Sequence, residues 1–289
     1  MFSLCCNSRT TNYYELSHNP KPISFSADMS IIIKKLLWYV PNIDSYQADK
    51  NELISDKLYN DFSFSYIIYC MGMIEENDVK WLEPKEVIDE SDWQFFYDQI
   101  CCNCQKIIIS QCKSLSKTND LLRCVRNCIA HGQFAIVDDY FIGFNEDKSK
   151  KKAIIKIKPK LLLQALERLS SPIGKVSLIG YAFKKMGYKV LVTPGNVSYD
   201  LLVEKNEKKY AIDLRIYKGK KFLHLEDIAH FLTSTEEVLP DIERILFIDT
   251  SKVTKEVRIK EKEIQYFRII DITQVKEMLK SQPIDILQH

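Results

Sequence analysis

The stretch 121–134, LLRCVRNCIAHGQF, decides how the N-terminal half of this 289-residue chain is read. The capping cluster Lys117-Thr118-Asn119-Asp120 precedes a helix running from Leu121 to His131, and Gly132 ends it. Immediately beyond, the period changes. Phe134, Ile136 and Val137, then Tyr140, Ile142 and Phe144, flank Asp138-Asp139 as two strands flank a hairpin turn, and Ala153 to Ile157 supplies a further strand.

Upstream, three more segments read as helices. Met29 to Tyr39 stops at Pro41, Glu52 to Glu75 is apolar on several faces, and a third starts at Glu90-Ser91-Asp92 and passes through Phe95, Ile100, Ile107 and Ile108 to about Ser114. Four helices in so short a span predict a bundle capped by a small hairpin sheet. A helix at Lys160 to Leu169 follows, and Ser170-Ser171-Pro172 reads as a linker.

Beyond the linker come a helix from Gly174 to Met186 ended by Gly187 and strands at Tyr188 to Thr193, Tyr199 to Glu204 and Lys209 to Ile216, with a turn at Lys205-Asn206-Glu207. A helix at Leu225 to Leu239, strands at Ile245 to Ile248 and Phe267 to Ile270, and a helix at Thr273 to Lys280 complete the chain. The expected fold class is α+β in two domains: residues 1–170 a helical bundle with a small β-hairpin, residues 171–289 an α/β domain.

Composition narrows the function classes. With 46 % apolar and 28 % charged residues, only 8 Gly and 9 Pro, and no low-complexity tract, the chain is long enough for two packed cores and is not disordered. Runs such as Ile107-Ile108-Ile109 and Leu161-Leu162-Leu163 fall far short of the roughly 20 residues that span a bilayer. The first residues, Met1 to Cys6, lack the basic and long apolar regions of a signal peptide, so a cytoplasmic location is expected.

Nine cysteines, including the adjacent pairs Cys5-Cys6 and Cys101-Cys102, predict reduced thiols rather than a disulfide framework. Cys101, Cys104, Cys124 and Cys128 approach zinc-ribbon spacing. Both pairs lie in segments read as helical, without a knuckle turn, so buried core thiols are expected instead. Two basic clusters, Lys148, Lys150, Lys151, Lys152, Lys156, Lys158 and Lys160, and Lys205, Lys208, Lys209, Arg215, Lys218, Lys220 and Lys221, read either as phosphate-tracking stripes or as solvated faces.

Arg126 and His131 stand at the end of the helix that Gly132 terminates. A histidine that takes the 2′-hydroxyl proton and an arginine that offsets charge on the phosphorane suffice to cleave RNA without metal. The run Arg126-Asn127-Cys128-Ile129-Ala130-His131 resembles the signature of the HEPN superfamily, and the likeness extends over about Met29 to Leu169. It implies a metal-independent endoribonuclease of toxin or phage-defence type, with no cofactor, acting on RNA, and usually a homodimer. Arg126, His131 and Asn127 would be its catalytic residues, Asn127 as orienting group. Glu75, Glu76 and Asp78 are candidate assisting acids only as carboxylates near a helix end.

A second constellation lies in GYKVLVTPGNVSYDLLVEKNEKKYAIDLRIYK, residues 187–218. Asp200, Asp213 and Arg215 place charged groups at one end of a hairpin, and the stretch resembles Mrr-like restriction endonucleases of the PD-(D/E)xK class. The resemblance implies Mg²⁺ held by Asp200 and Asp213 and makes DNA a second possible partner. Two departures count against cleavage: Arg215 stands where the family has Lys and holds its proton too tightly, and the glycine-rich loop before Asp200 is reduced to Pro194-Gly195-Asn196-Val197-Ser198, with Val176 where many members have a helix Glu. The reading is therefore an endoribonuclease with a C-terminal nucleic-acid-recognition domain. The alternatives are a Mg²⁺-dependent DNA nuclease with the first half as scaffold, and a silent binding protein. His224 and His230 read as surface or packing residues.

Overall fold

The computed structural model describes residues 2–6, 12–16, 25–39, 59–112, 116–171, 173–193, 197–217, 221–238, 242–280 and 282–288. The chain divides into two compact units, Met1–Ser171 and Pro172–His289, and each combines helices with a five-stranded sheet. Among the described residues no helix is long and apolar enough to cross a membrane.

In the first unit the order is β1 (Tyr13–Glu15), α1 (Ala27–Trp38), α2 (Tyr59–Cys70), a helical turn α3 (Glu75–Asp78), β2 (Val79–Leu82), α4 (Glu90–Asp98), β3 (Gln99–Cys101) and β4 (Lys106–Ser110). It continues with α5 (Lys117–Ala130), β5 (Phe134–Val137), β6 (Tyr140–Asp147), β7 (Lys150–Ile157) and α6 (Pro159–Ser170). The sheet runs β2-β4-β7-β6-β5, with β2 parallel to β4 and the other neighbours antiparallel, while β1 pairs with β3.

This corrects the expectation of a helical bundle capped by a hairpin. The segment read as one helix from Glu90 to Ser114 is helical only over α4; Ile107, Ile108 and Ile109 form the buried middle of β4. A short β-branched run buried on both faces carries neither period, so pattern alone does not separate strand from helix. Of the helix expected at 52–75, α2 is the described part, and 52–58, like Pro41 and Ser114, lie outside the described residues.

Alternation along β6 sorts the two faces of the sheet. Tyr140, Ile142 and Phe144 pack with Trp93 and Phe96 of α4, Ile108 and Ile154. Gly143 and Asn145 face α5, where Asn145 Nδ2 lies 3.5 Å from Cys124 Sγ. Helix α5 contacts α2, α2 contacts α6, and α6 contacts α1, whereas α4, from the segment expected as the third helix of the bundle, packs on the opposite sheet face.

The second unit runs α7 (Gly174–Lys185), β8 (Lys189–Val192), β9 (Leu201–Lys205), β10 (Lys208–Leu214), α8 (Leu225–Val238), β11 (Glu243–Ile248), α9 (Lys255–Glu263), β12 (Phe267–Asp271) and α10 (Val275–Leu279). Its sheet order is β12-β11-β10-β9-β8, with an antiparallel meander β8-β9-β10 followed by the parallel strands β10, β11 and β12. Phe231, Leu246, Ile248, Val257 and Phe267 lie in its core. Helix α9 had no counterpart in the sequence reading: its segment KEVRIKEKE buries only Val257, too little apolar stripe to register.

Candidate functional site

Helix α5 begins at Ser116, whose Oγ accepts from the Asn119 amide at 3.3 Å, and buries Leu121, Leu122, Cys124, Val125 and Cys128. That stripe leaves Arg126 and Asn127 half-buried and His131 exposed at the helix end. Asn127 Oδ1 accepts from Arg126 Nε at 3.2 Å and Nη2 at 2.8 Å, and its backbone carbonyl accepts from the His131 amide at 3.0 Å.

The helix then closes in a Schellman turn: Gln133 N–H donates to the Cys128 carbonyl at 2.9 Å and Gly132 N–H to the Ile129 carbonyl at 3.2 Å, with Gly132 at φ +65°. Phe134, just beyond, stacks on Phe25 and Phe141 at centroid distances of 6.1 and 5.4 Å, which fixes the exit of the chain. Underneath, Gly143 lets α5 approach the sheet: a Cβ there would lie 2.8 Å from Cys128 Sγ.

The candidate acids serve structure instead. Glu75 accepts from Ser65 Oγ at 2.7 Å and pairs with Lys117 at 3.1 Å. Lys117 opens α5 and His131 closes it, about 20 Å apart at 1.5 Å per residue, so Glu75 belongs to the far end of the helix. Asp78 pairs with buried Lys106 at 2.7 Å, and Glu76 is exposed.

In the second unit Asp200 precedes β9 and Asp213 lies near the end of β10. The Asp200 amide donates to the Ile212 carbonyl at 2.8 Å, and its Oδ2 accepts from the Leu214 amide at 2.8 Å. The structure thus brings Asp200, Asp213 and Arg215 to one end of the β9-β10 hairpin. Burial raises the pKa of both carboxyls. For Asp213 the charge of Arg215 opposes that rise and the charge of Asp200 adds to it, leaving it pushed up to about 6.

Arg215 Nε holds Asp213 Oδ2 at 2.6 Å, the Leu214 amide holds one oxygen of Asp200, and among the described residues no third His, Cys, Asp or Glu side chain joins the two carboxylates. Val176, at the helix position where many members of that class have Glu, packs into the core. Residues 194–196 of the preceding loop lie outside the described residues.

Several basic residues of the two clusters are spoken for. Lys151 pairs with Glu90 and lies over the Trp93 ring, Lys158 pairs with Asp139 at 2.8 Å, Lys156 is fully buried, and Lys205 pairs with Asp285 at 2.8 Å. Lys218 and Lys220 lie outside the described residues. His224 and His230 are exposed, on or just before α8.

The cysteines regroup. Cys124 and Cys128 are buried in α5 against the sheet, and burial pushes both thiols up, Cys124 to about 11. Cys101 and Cys104 meet Cys5 and Cys6 instead, with ligand sulfurs all within 4.8 Å of one another. Sequence reasoning did not pair these four because 95 residues separate Cys6 from Cys101; the Cys5-Cys6 doublet beside a C-x2-C was the available signal. No protein-family model, curated protein or solved structure matches this chain.

Proposed function

We propose that the chain is a metal-independent endoribonuclease acting at Arg126, Asn127 and His131, and that the C-terminal unit recognises nucleic acid. The observation that carries this reading is the hold of Asn127 on Arg126, whose guanidinium its side chain orients at the helix end that His131 caps. The resemblance of Arg126-Asn127-x-x-x-His131 to the HEPN signature supports it.

The chemistry needs only these groups. The His131 imidazole accepts the proton of a ribose 2′-hydroxyl, the 2′-oxygen attacks phosphorus, and the P–O5′ bond breaks. The products are a 2′,3′-cyclic phosphate and a 5′-hydroxyl, the leaving oxygen taking a proton from water and His131 returning its own to solvent. Arg126 offsets the charge that builds on the phosphorane; Asn127 engages its Nε–Nη2 edge and leaves the Nη1 edge for phosphate. A homodimer of toxin or phage-defence type, with two such sites facing, completes the proposal.

The test is cleavage of total and transfer RNA by purified wild type, His131→Ala, Arg126→Ala and Asp213→Ala, with and without EDTA. Activity that survives Asp213→Ala and falls roughly 10²–10⁴-fold in His131→Ala is the expected result. Loss with Asp213→Ala but not with His131→Ala would move the enzyme to the C-terminal unit.

A further inference from the structure

We propose that Cys5, Cys6, Cys101 and Cys104 form a tetrahedral structural zinc site that pins the N-terminal segment to the turn between β3 and β4. Nothing in the Arg126/His131 chemistry uses these thiols, and the inference does not depend on that reading.

The sulfur geometry is that of a zinc site. With Zn–S bonds of about 2.3 Å, four sulfurs at the corners of a tetrahedron stand about 3.8 Å apart. Here Cys6 Sγ lies 3.5 Å and Cys104 Sγ 3.6 Å from Cys101 Sγ, and the ligand sulfurs of all four residues lie within 4.8 Å of one another. Among the described residues no other set of three or more His, Cys, Asp or Glu side chains converges so closely.

The backbone supplies a knuckle turn where a helix was expected. Cys101-Cys102-Asn103-Cys104 lies at the end of β3 in a turn, not in a helix, and the Asn103 amide donates to Cys101 Sγ at 3.4 Å. An amide directed at sulfur favours the thiolate, the form that binds metal. The Cys102 amide donates to the Asn12 carbonyl at 3.0 Å, so β1 holds the N-terminal segment beside the turn.

Charge completes the case. Lys156 of β7 is fully buried, and its Nζ lies 3.4 Å from Cys104 Sγ and 5.5 Å from the Tyr140 ring centroid. Burying an ammonium is costly without a counter-charge, and a neutral thiol and a ring face provide little. A zinc ion with four thiolates carries a net charge of −2, which an adjacent ammonium offsets.

The test uses the full chain purified under reducing conditions. One equivalent of zinc per chain is expected by elemental analysis, with retention below a tenth in Cys6→Ser and in Cys104→Ser and unchanged content in Cys102→Ser, whose thiol lies outside the cluster. Because the first two variants could misfold, the metal-stripped wild type is titrated with Co²⁺. The intense thiolate-to-cobalt charge-transfer band and visible bands of a tetrahedral four-sulfur site should appear and then be displaced by Zn²⁺. Wild type that carries no zinc and gives no charge-transfer band with Co²⁺ overturns the proposal, as does equal metal retention in Cys104→Ser and wild type.

Discussion

Asn127 Oδ1 accepts from both Nε and Nη2 of Arg126, while its carbonyl takes the helical hydrogen bond of the His131 amide, at the end of α5 that carries the proposed catalytic groups. Asn127→Ala removes only the hold on Arg126. RNA cleavage should fall on the order of 10–100-fold, mainly in kcat, since a misaligned guanidinium loses transition-state contact before ground-state binding. Steady-state kinetics on a short RNA checks this; an unchanged kcat would remove Asn127 from the site.

Gly132 sits at φ +65° with nothing within 4 Å of its missing Cβ, so the cost of a side chain there is backbone strain alone. Gly132→Ala should destabilise the chain by about 1–2 kcal/mol in denaturant unfolding. Gly132→Asn should recover most of the loss, because Asn tolerates the left-handed region. Equal losses for the two variants would contradict the backbone origin.

Gly143 is a matter of space rather than conformation. A Cβ would come within 2.7 Å of Phe141 Cε1 and 2.8 Å of Cys128 Sγ, so Gly143→Ala should cost about 1–3 kcal/mol by pushing α5 off the sheet. Adding Cys128→Ala should restore part of that stability. A double-mutant cycle measures the coupling, and strict additivity would show that the two positions do not touch in solution.

Asp213 makes stability depend on pH. Its carboxyl, raised by burial from 3.8 to about 6, binds its proton more tightly folded than unfolded. The stability this confers is fully present below the unfolded value and is lost as pH rises through about 6. Asp213→Asn, which mimics the protonated acid, should therefore stabilise the chain by about 1–3 kcal/mol at pH 8 and be neutral below about pH 4. Urea titrations at the two pH values test the sign; a gain of equal size at both would refute the linkage.

How much of this could be read from residues alone follows from the range of each signal. The end of α5 at Gly132, the hairpin of β5 and β6, and the meander of β8, β9 and β10 rest on caps, a left-handed glycine and period-two alternation. All of these act over a few residues. The Arg126-Asn127-x-x-x-His131 run is likewise local, so its place at a helix terminus was open to a reader of the sequence.

Tertiary packing alone decided the rest. Whether Ile107-Ile108-Ile109 is helix or strand depends on partners found only at Val79 to Trp81 and Ala153 to Ile155, because an apolar run satisfies its backbone equally well either way until a neighbouring strand is present. The pairing of Cys5 and Cys6 with Cys101 and Cys104, the burial of Lys156 beside them and the capture of Asp213 by Arg215 also needed the folded chain. Spacing encodes what neighbours along one element do; which elements meet is set by the apolar surface they bury together, which offsets the entropy of closing the long loops between them.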